Sequence, residues 1–362
     1  VKAATALTSA PDAVITGTRA GDRQRFMEQA GFGPTPTMAE LPSGTRLKTW
    51  IGQQFAAPYP SVSNPYPVIA LQGVNPPTNC DGPNGDPIVD LYPTCFLETY
   101  SQYPLQAWNS REMLYGGNQL RHKVSWALSQ IWVTSGVDIQ QSRHMIEWHK
   151  ILSNNAFGNF RDIMGPTTAN PNNGGITLNP AMGDYLSMEQ STRTNPNENY
   201  SREILQLFTI GLFTLNPDGT VVCVEHNPCQ PGDTKVETYD QNLVNNLTRV
   251  FTGWKFCNIG GNPACPSFVS GTINYIDPMI MTVTNNHDTA AKTLLTASTA
   301  PSNIDACTNC TGGTTAVNLA NTQAYARTSM IRALDNIFNH PNVAPFIGKI
   351  LIQQMVTSDP TP

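Results

Sequence analysis

Eight cysteines fall along the chain as four close neighbours in sequence: Cys80/Cys95, Cys223/Cys229, Cys257/Cys265 and Cys307/Cys310. Each pair sits in a stretch rich in proline, asparagine and glycine. Cross-links of such short span staple loops, and the core is left to apolar burial. An even count placed in loops argues for disulfides and an oxidising compartment. A bridge closing the 80–95 loop is worth roughly 3 kcal/mol by chain entropy, and the shorter loops contribute less. Nearest-neighbour pairing is one of about 105 connectivities open to eight cysteines. Cys307-Thr-Asn-Cys310 also has zinc-knuckle or redox spacing. No second such motif, His pair or βαβ pattern accompanies it, so the disulfide reading is preferred.

With 362 residues, 40% of them hydrophobic, the chain can bury one large core or two modest ones. No run of 18 apolar residues occurs, so no transmembrane helix is expected. No secretory signal is visible; residue 1 is Val1, which is compatible with a signal already removed. Charged residues make up 13%, about half the usual share. The net charge is −5, and nothing suggests nucleic-acid binding. A surface built from amides and hydroxyls suits an extracellular or surface-layer setting. The expected localisation is extracytoplasmic: secreted, periplasmic or cell-surface.

Apolar residues recur at helical spacing through most of the chain. Helices are expected over Asp22–Ala30, 37–55 with a break near Pro42, 105–114, 142–154, 239–251, 318–338 and 342–355. Within 117–135, Leu120, Val124, Ala127, Leu128 and Ile131 form an apolar stripe. Arg121 lies at its edge and calls for a carboxylate partner. Pro196–Phe213 reads as the strongest helix. Asp218-Gly219 opens a hairpin of 220–224 against 235–238, and 272–283 reads as short strands. The sum is a mainly α fold: a single multi-helix globular domain over 1–362, with a minor β-hairpin. Residues 57–95, 223–235, 257–285 and 300–315 read as loop or β insertions stapled by disulfides.

Glu198, Arg202 and Gln206 are spaced four apart and share one helical stripe, flanked by Asn199 and Glu203. Such a stripe presents carboxylates and a guanidinium to a substrate or metal. The same residues also suit helix capping, with Asn195 as N-cap, Pro196 at N1 and Glu198 closing a capping box. His287-Asp288 pairs a general base with an orienting carboxylate. Equally, Asp288 caps a short following helix, with Lys292 as its surface neighbour. His144 and His149 stand about 140° apart around one helix, poor geometry for a shared metal. Phe251-Thr-Gly-Trp254 reads as a helix end at Gly253 with a packed indole. Nucleophile-elbow, phosphate-loop, EF-hand and dinucleotide motifs are missing from the sequence.

Several blocks occur in an order that resembles the bacterial family named domain of unknown function 1800. They are Phe26–Pro34, the LRHKVSWALS run Leu120–Ser129, AFGNFR at Ala156–Arg161 and PAMGDYLS at Pro180–Ser187. Asn197–Glu203 with Leu207–Leu212, Phe251–Trp254, His287-Asp288 with Lys292, and His340–Phe346 complete the set. Lys123, Asn179 and Ser201 depart from the residues usual in that family. The resemblance implies further helix beyond Pro362.

Two functions are therefore expected to compete. One is a structural or interaction component of an extracellular assembly, with protein partners or self-association. The other is a hydrolase or modifying enzyme acting on an extracellular polysaccharide or similar polymer. The enzyme reading requires Arg121, Glu198, Arg202, Glu203, His287 and Asp288 to converge on one pocket. No cofactor is implied by either.

Overall fold

The computed structural model describes residues 20–33, 47–69 and 95–361. The expected Cys80–Cys95 bridge, most of the 57–95 loop and the start of the 37–55 helix lie outside them. The described chain is helix-rich with two small antiparallel sheets. It divides into two compact units. The first is Val1–Gln130 with Ser135–Gly158, and the second is Ile131–Thr134 with Asn159–Pro362.

The first unit contains α1 (Ala20–Ala30), α2 (Leu47–Ala56), α3 (Cys95–Thr99), α4 (Tyr103–Tyr115), α5 (Gln119–Ser129) and α6 (Ser142–Asn154). Met27, Ala30 and Trp50 form an apolar cluster that packs against Leu120 of α5. The opposite side of α5 is also buried, and there the buried residues are Gln119, His122 and Ser125. Burying both sides of one helix places polar groups inside the fold, where each needs a partner. Helix α6 buries Met145, Ile146, Trp148 and Leu152, the spacing expected of one apolar face.

The second unit contains α7 (Phe160–Met164), α8 (Pro180–Tyr185), α9 (Asn199–Gln206), α10 (Gln241–Val250), α11 (Thr315–Phe338) and α12 (Val343–Met355). Strand β1 (Trp254–Lys255) pairs antiparallel with β2 (Ile280–Met281), and β3 (Lys292–Thr293) with β4 (Asn303–Ile304). The core gathers Trp132, Tyr200, Phe208, Phe251 and Trp254, each no more than 1% exposed. Buried amides brace it: Asn336 bonds the 295–301 loop, and Asn342 bonds Ile210, Phe213 and Leu215.

Helix α9 is much shorter than the expected 196–213. The N–H groups of Leu207 and Phe208 both reach the Glu203 carbonyl, and Gly211 N reaches Leu205 O at 2.9 Å. That is a helix closing on itself, with Gly211 at φ +73°. A Cβ at Gly211 would meet the Phe346 ring at 2.6 Å, so the turn is fixed by tertiary packing. The capping box does not form. Asn195 instead bonds Thr192, and Asn197 Oδ1 accepts from Asn199 N at 3.0 Å.

The expected hairpin is present as isolated bridges, Cys223 opposite Lys235, and it gains a third segment. Phe213 bridges Glu237, and Leu215 bridges Val221. Of the 272–283 stretch, only Ile280–Met281 is a strand. Three cysteine pairs stand at disulfide distance: Cys223–Cys229 at 2.08 Å, Cys257–Cys265 at 2.01 Å and Cys307–Cys310 at 1.95 Å. Among the described residues, no helix is long and apolar enough to cross a membrane.

Candidate functional site

Glu198 Oε1 lies 3.0 Å from Arg202 Nε. Gln241 closes the triangle: its Nε2 donates to Glu198 Oε2 at 3.0 Å, and its Oε1 accepts from Arg202 at 2.5 Å. Hydrogen bonds from Arg202 and Gln241 hold the Glu198 carboxyl below its ordinary range. The two charged side chains are 43% and 38% exposed, so the pair contributes only a few tenths of a kcal/mol. Glu203 stands apart from this triangle. Burial raises its carboxyl, and its Oε2 has no hydrogen-bond partner.

His287-Asp288 follows a 3-10 turn (Thr284–Asn286) and leads into β3, where the sequence suggested a short helix. Gly253 explains the placement. It has φ +85°, and a Cβ there would meet the backbone of Asn286 and His287 at 2.9 Å. The turn therefore presses directly on residues 286–287. His287 Nδ1 bonds the Thr252 carbonyl at 2.8 Å. Burial lowers this imidazole to about 4, so it is neutral, with Nδ1–H donating and Nε2 buried without a partner.

Asp288 accepts two 2.9 Å bonds from Arg249, a forked pair. Its Oδ1 also accepts from Ala290 N at 2.9 Å, an Asx turn in place of the expected helix cap. Lys292 is not a surface neighbour. Its side chain is fully buried, donating to Asp288 O, Ala290 O and the Tyr325 hydroxyl. Burial lowers its ammonium to about 8, against the pull of Asp288.

Gln241 opens α10 and Arg249 stands in its last turn. Eight residues at 1.5 Å rise separate them by about 12 Å along the axis. The Glu198–Arg202 pair and the Asp288 network are thus anchored at opposite ends of one helix. Arg121 belongs to the first unit. Its guanidinium donates to Ser153 O at 2.9 Å and lies over the Tyr59 and Phe157 rings. The expected carboxylate partner is replaced by a carbonyl and two aromatic faces.

The first unit holds a second polar cluster that sequence reasoning missed. Glu112 and His122 are each 1% exposed, with His122 Nε2 at 3.0 Å from Glu112 Oε2. Ser61 and Asn64 donate to the same carboxylate at 2.7 Å. Burial pushes the Glu112 carboxyl up, but the bonds from His122, Asn64 and Ser61 outweigh it and hold the group ionised. Facing an anion, His122 Nε2 carries a proton, and Nδ1 is left buried without a partner.

His149 lies beside this pair, its Nδ1 hydrogen-bonded to Tyr66 Oη at 2.8 Å. Burial, then the nearby His122, lowers it to about 3. His122 and His149 both line a cavity of about 180 Å³ between α4, α5 and α6. The signal in the sequence was a second stripe on α5. Gln119, His122, Ser125 and Ser129 recur at three- and four-residue steps without a fixed charge other than histidine.

Among the described residues, no group of three or more metal-ligating side chains is poised to hold an ion. The family model described as "Protein of unknown function (DUF1800)" matches residues 25–362. The chain belongs to this family. No curated protein and no solved structure matches it. Membership in the DUF1800 family accounts for the ordered blocks from Phe26 to Phe346.

Proposed function

We propose that the protein acts outside the cytoplasm as a structural or interaction component of an extracellular assembly. The supporting observation is that three of the residues singled out as catalytic, Glu198, Arg202 and Asp288, are held in ion pairs at separate places. Glu198, Arg202 and Gln241 form one closed group, and Asp288, Arg249 and Lys292 another, at the two ends of α10. Groups held this way brace backbone. The three cysteine pairs in loops fit an oxidising compartment. The test is fractionation of the producing cells without detergent or reductant, followed by sizing. Recovery outside the cytoplasm in a defined complex is expected, and a monodisperse monomer without a partner overturns the reading.

A second reading is a hydrolase or modifying enzyme for an extracellular polysaccharide or similar polymer. It draws support from a different place, the Glu112–His122 pair, whose ring Nδ1 is buried without a partner. A carboxylate behind an imidazole is the arrangement of a general base. Release of reducing ends from polysaccharide by the wild-type protein, lost in His122→Gln but kept in Glu198→Gln, is the outcome that selects it.

A further inference from the structure

In the second unit, Arg161 and Arg249 each grip an aspartate. Arg327, midway along α11, has no carboxylate partner among the described residues. Its Nη1 donates to Pro171 O at 2.7 Å, and its guanidinium lies over the Trp254 ring, 5.6 Å from the centroid. Its Nε and Nη2 bond nothing among the described residues. Both keep some exposed surface, unlike the occluded Arg121 Nε. Burial lowers this guanidinium, and no neighbouring charge offsets the loss. The edge left open is the one that Arg249 uses, whose Nε and Nη2 hold the two oxygens of Asp288 at 2.9 Å each. That fork matches a carboxylate in shape and spacing.

Arg327 and Trp254 line a cavity of about 360 Å³ between α11, the β1–β2 ladder and the loop that carries Asn262. Each wall is pinned. Cys257–Cys265 closes the base of the loop, Trp254 pairs with Met281 across the ladder, and Gln323 Nε2 ties α11 to Met281 O at 2.7 Å. Walls fixed in advance leave little to be ordered on binding. The lining holds one charge, that of Arg327, and no acid. Gln323 Oε1 and Asn262 Nδ2 are left over by the bonds those amides already make, an acceptor and a donor for hydroxyls. One guanidinium answers one negative charge. A dianion would keep a second charge unanswered, and a neutral ligand would leave the fork empty. The volume equals about twelve waters at liquid density, room for a carboxylate on one ring or a short chain. We propose that this cavity binds a small hydroxylated monocarboxylate, gripped side-on by Nε and Nη2 of Arg327, with Gln323 and Asn262 meeting its hydroxyls. The site lies wholly within the second unit and does not depend on where the protein acts.

The experiment is calorimetry and saturation-transfer NMR on the full chain. The probes are lactate, glycerate and the methyl glycosides of glucuronate and galacturonate. Lactamide, glyceramide and the methyl glycosides of glucose and galactose are their uncharged counterparts, and inorganic phosphate represents the other anion class. At least one carboxylate is expected to bind saturably. Its uncharged counterpart and phosphate are expected to bind at least about tenfold more weakly. Arg327→Lys keeps the charge, removes the fork and is expected to weaken binding about tenfold. Ala324→Glu, at an exposed position of the lining, sets a carboxylate of the protein's own one turn before Arg327. It is expected to weaken binding at least about tenfold without touching the core. The proposal is overturned if none of the carboxylates binds. It is equally overturned if the uncharged counterpart or phosphate binds as well as the carboxylate, or if neither variant weakens binding.

Discussion

Two buried ion networks, one in each unit, are built to opposite ends. In the second unit, Asp288 accepts a forked pair from Arg249, and Lys292 directs its protons at two carbonyls and a hydroxyl. Every charge there is answered, and the result is a braced turn. In the first unit, Glu112 is answered by Ser61, Asn64 and His122, but the chain of bonds ends on a buried ring nitrogen that has no partner. Buried charge alone does not separate the two networks, and His287, beside the second, also keeps an unpaired ring nitrogen where buried polar groups are otherwise nearly always satisfied.

The largest expected effect comes from breaking the first network. Glu112→Ala strands a buried imidazole and two donors, and should lower stability by about 3–5 kcal/mol in denaturant unfolding. A loss below about 1 kcal/mol would show that the pair is not buried in solution.

Acid tests both networks at once. Burial lowers His149 to about 3 and His287 to about 4, below the ordinary value of 6.5. The unfolded chain therefore binds more protons in that window. Stability is full above pH 6.5 and falls as pH drops through 6.5 toward 4. Each histidine should remove about 2 kcal/mol by pH 5. His149→Gln and His287→Gln should each flatten part of the slope, the remainder belonging to His144, which burial also lowers to about 4, and to His340, and a Tm unchanged between pH 7 and pH 5 refutes the assignment.

Asp288→Asn should cost about 2 kcal/mol, since it leaves Arg249 and Lys292 without their anion. Lys292 then keeps the repulsion of Arg249 without the pull of Asp288, so the variant should recover part of the loss above pH 8. Smallest of all, Glu198→Gln should change stability by less than about 0.5 kcal/mol, because its pair with Arg202 is largely solvated. A loss above about 2 kcal/mol would move Glu198 from the surface group to the braced one.

Helices whose apolar face is continuous were legible from sequence, as α6 shows: its expected span of 142–154 is the observed one. Helix α9 was not, because its end is dictated by the approach of Phe346 to Gly211, a contact across 135 positions of chain that periodicity does not carry. The β3 region failed for a related reason. Asp288 was read as a helix cap, but Gly253 brings another backbone against residues 286–287 and leaves no room for a helical turn.

The candidate sites divide in the same way. His287 and Asp288 were found because they are adjacent and titratable, while Arg249, the partner of Asp288, lies 39 residues earlier. Glu112, His122 and His149 stand on three helices and form no motif. On α5 the eye follows Leu120, Val124 and Leu128, whereas the buried polar stripe of Gln119, His122 and Ser125 reads as an ordinary wet face. What betrays it is composition: a solvated stripe in most helices carries lysine or glutamate, and this one carries neither.

The cysteine pairs have a consequence for how the protein ages. Cys223–Cys229, Cys257–Cys265 and Cys307–Cys310 span only 6, 8 and 3 positions. A protease that cuts between two such partners leaves the flanking segments covalently joined through the cysteines, whose Cα atoms stand 5.4, 5.3 and 5.7 Å apart. The nicked loop stays where it was, and the helices beside it never register the cut.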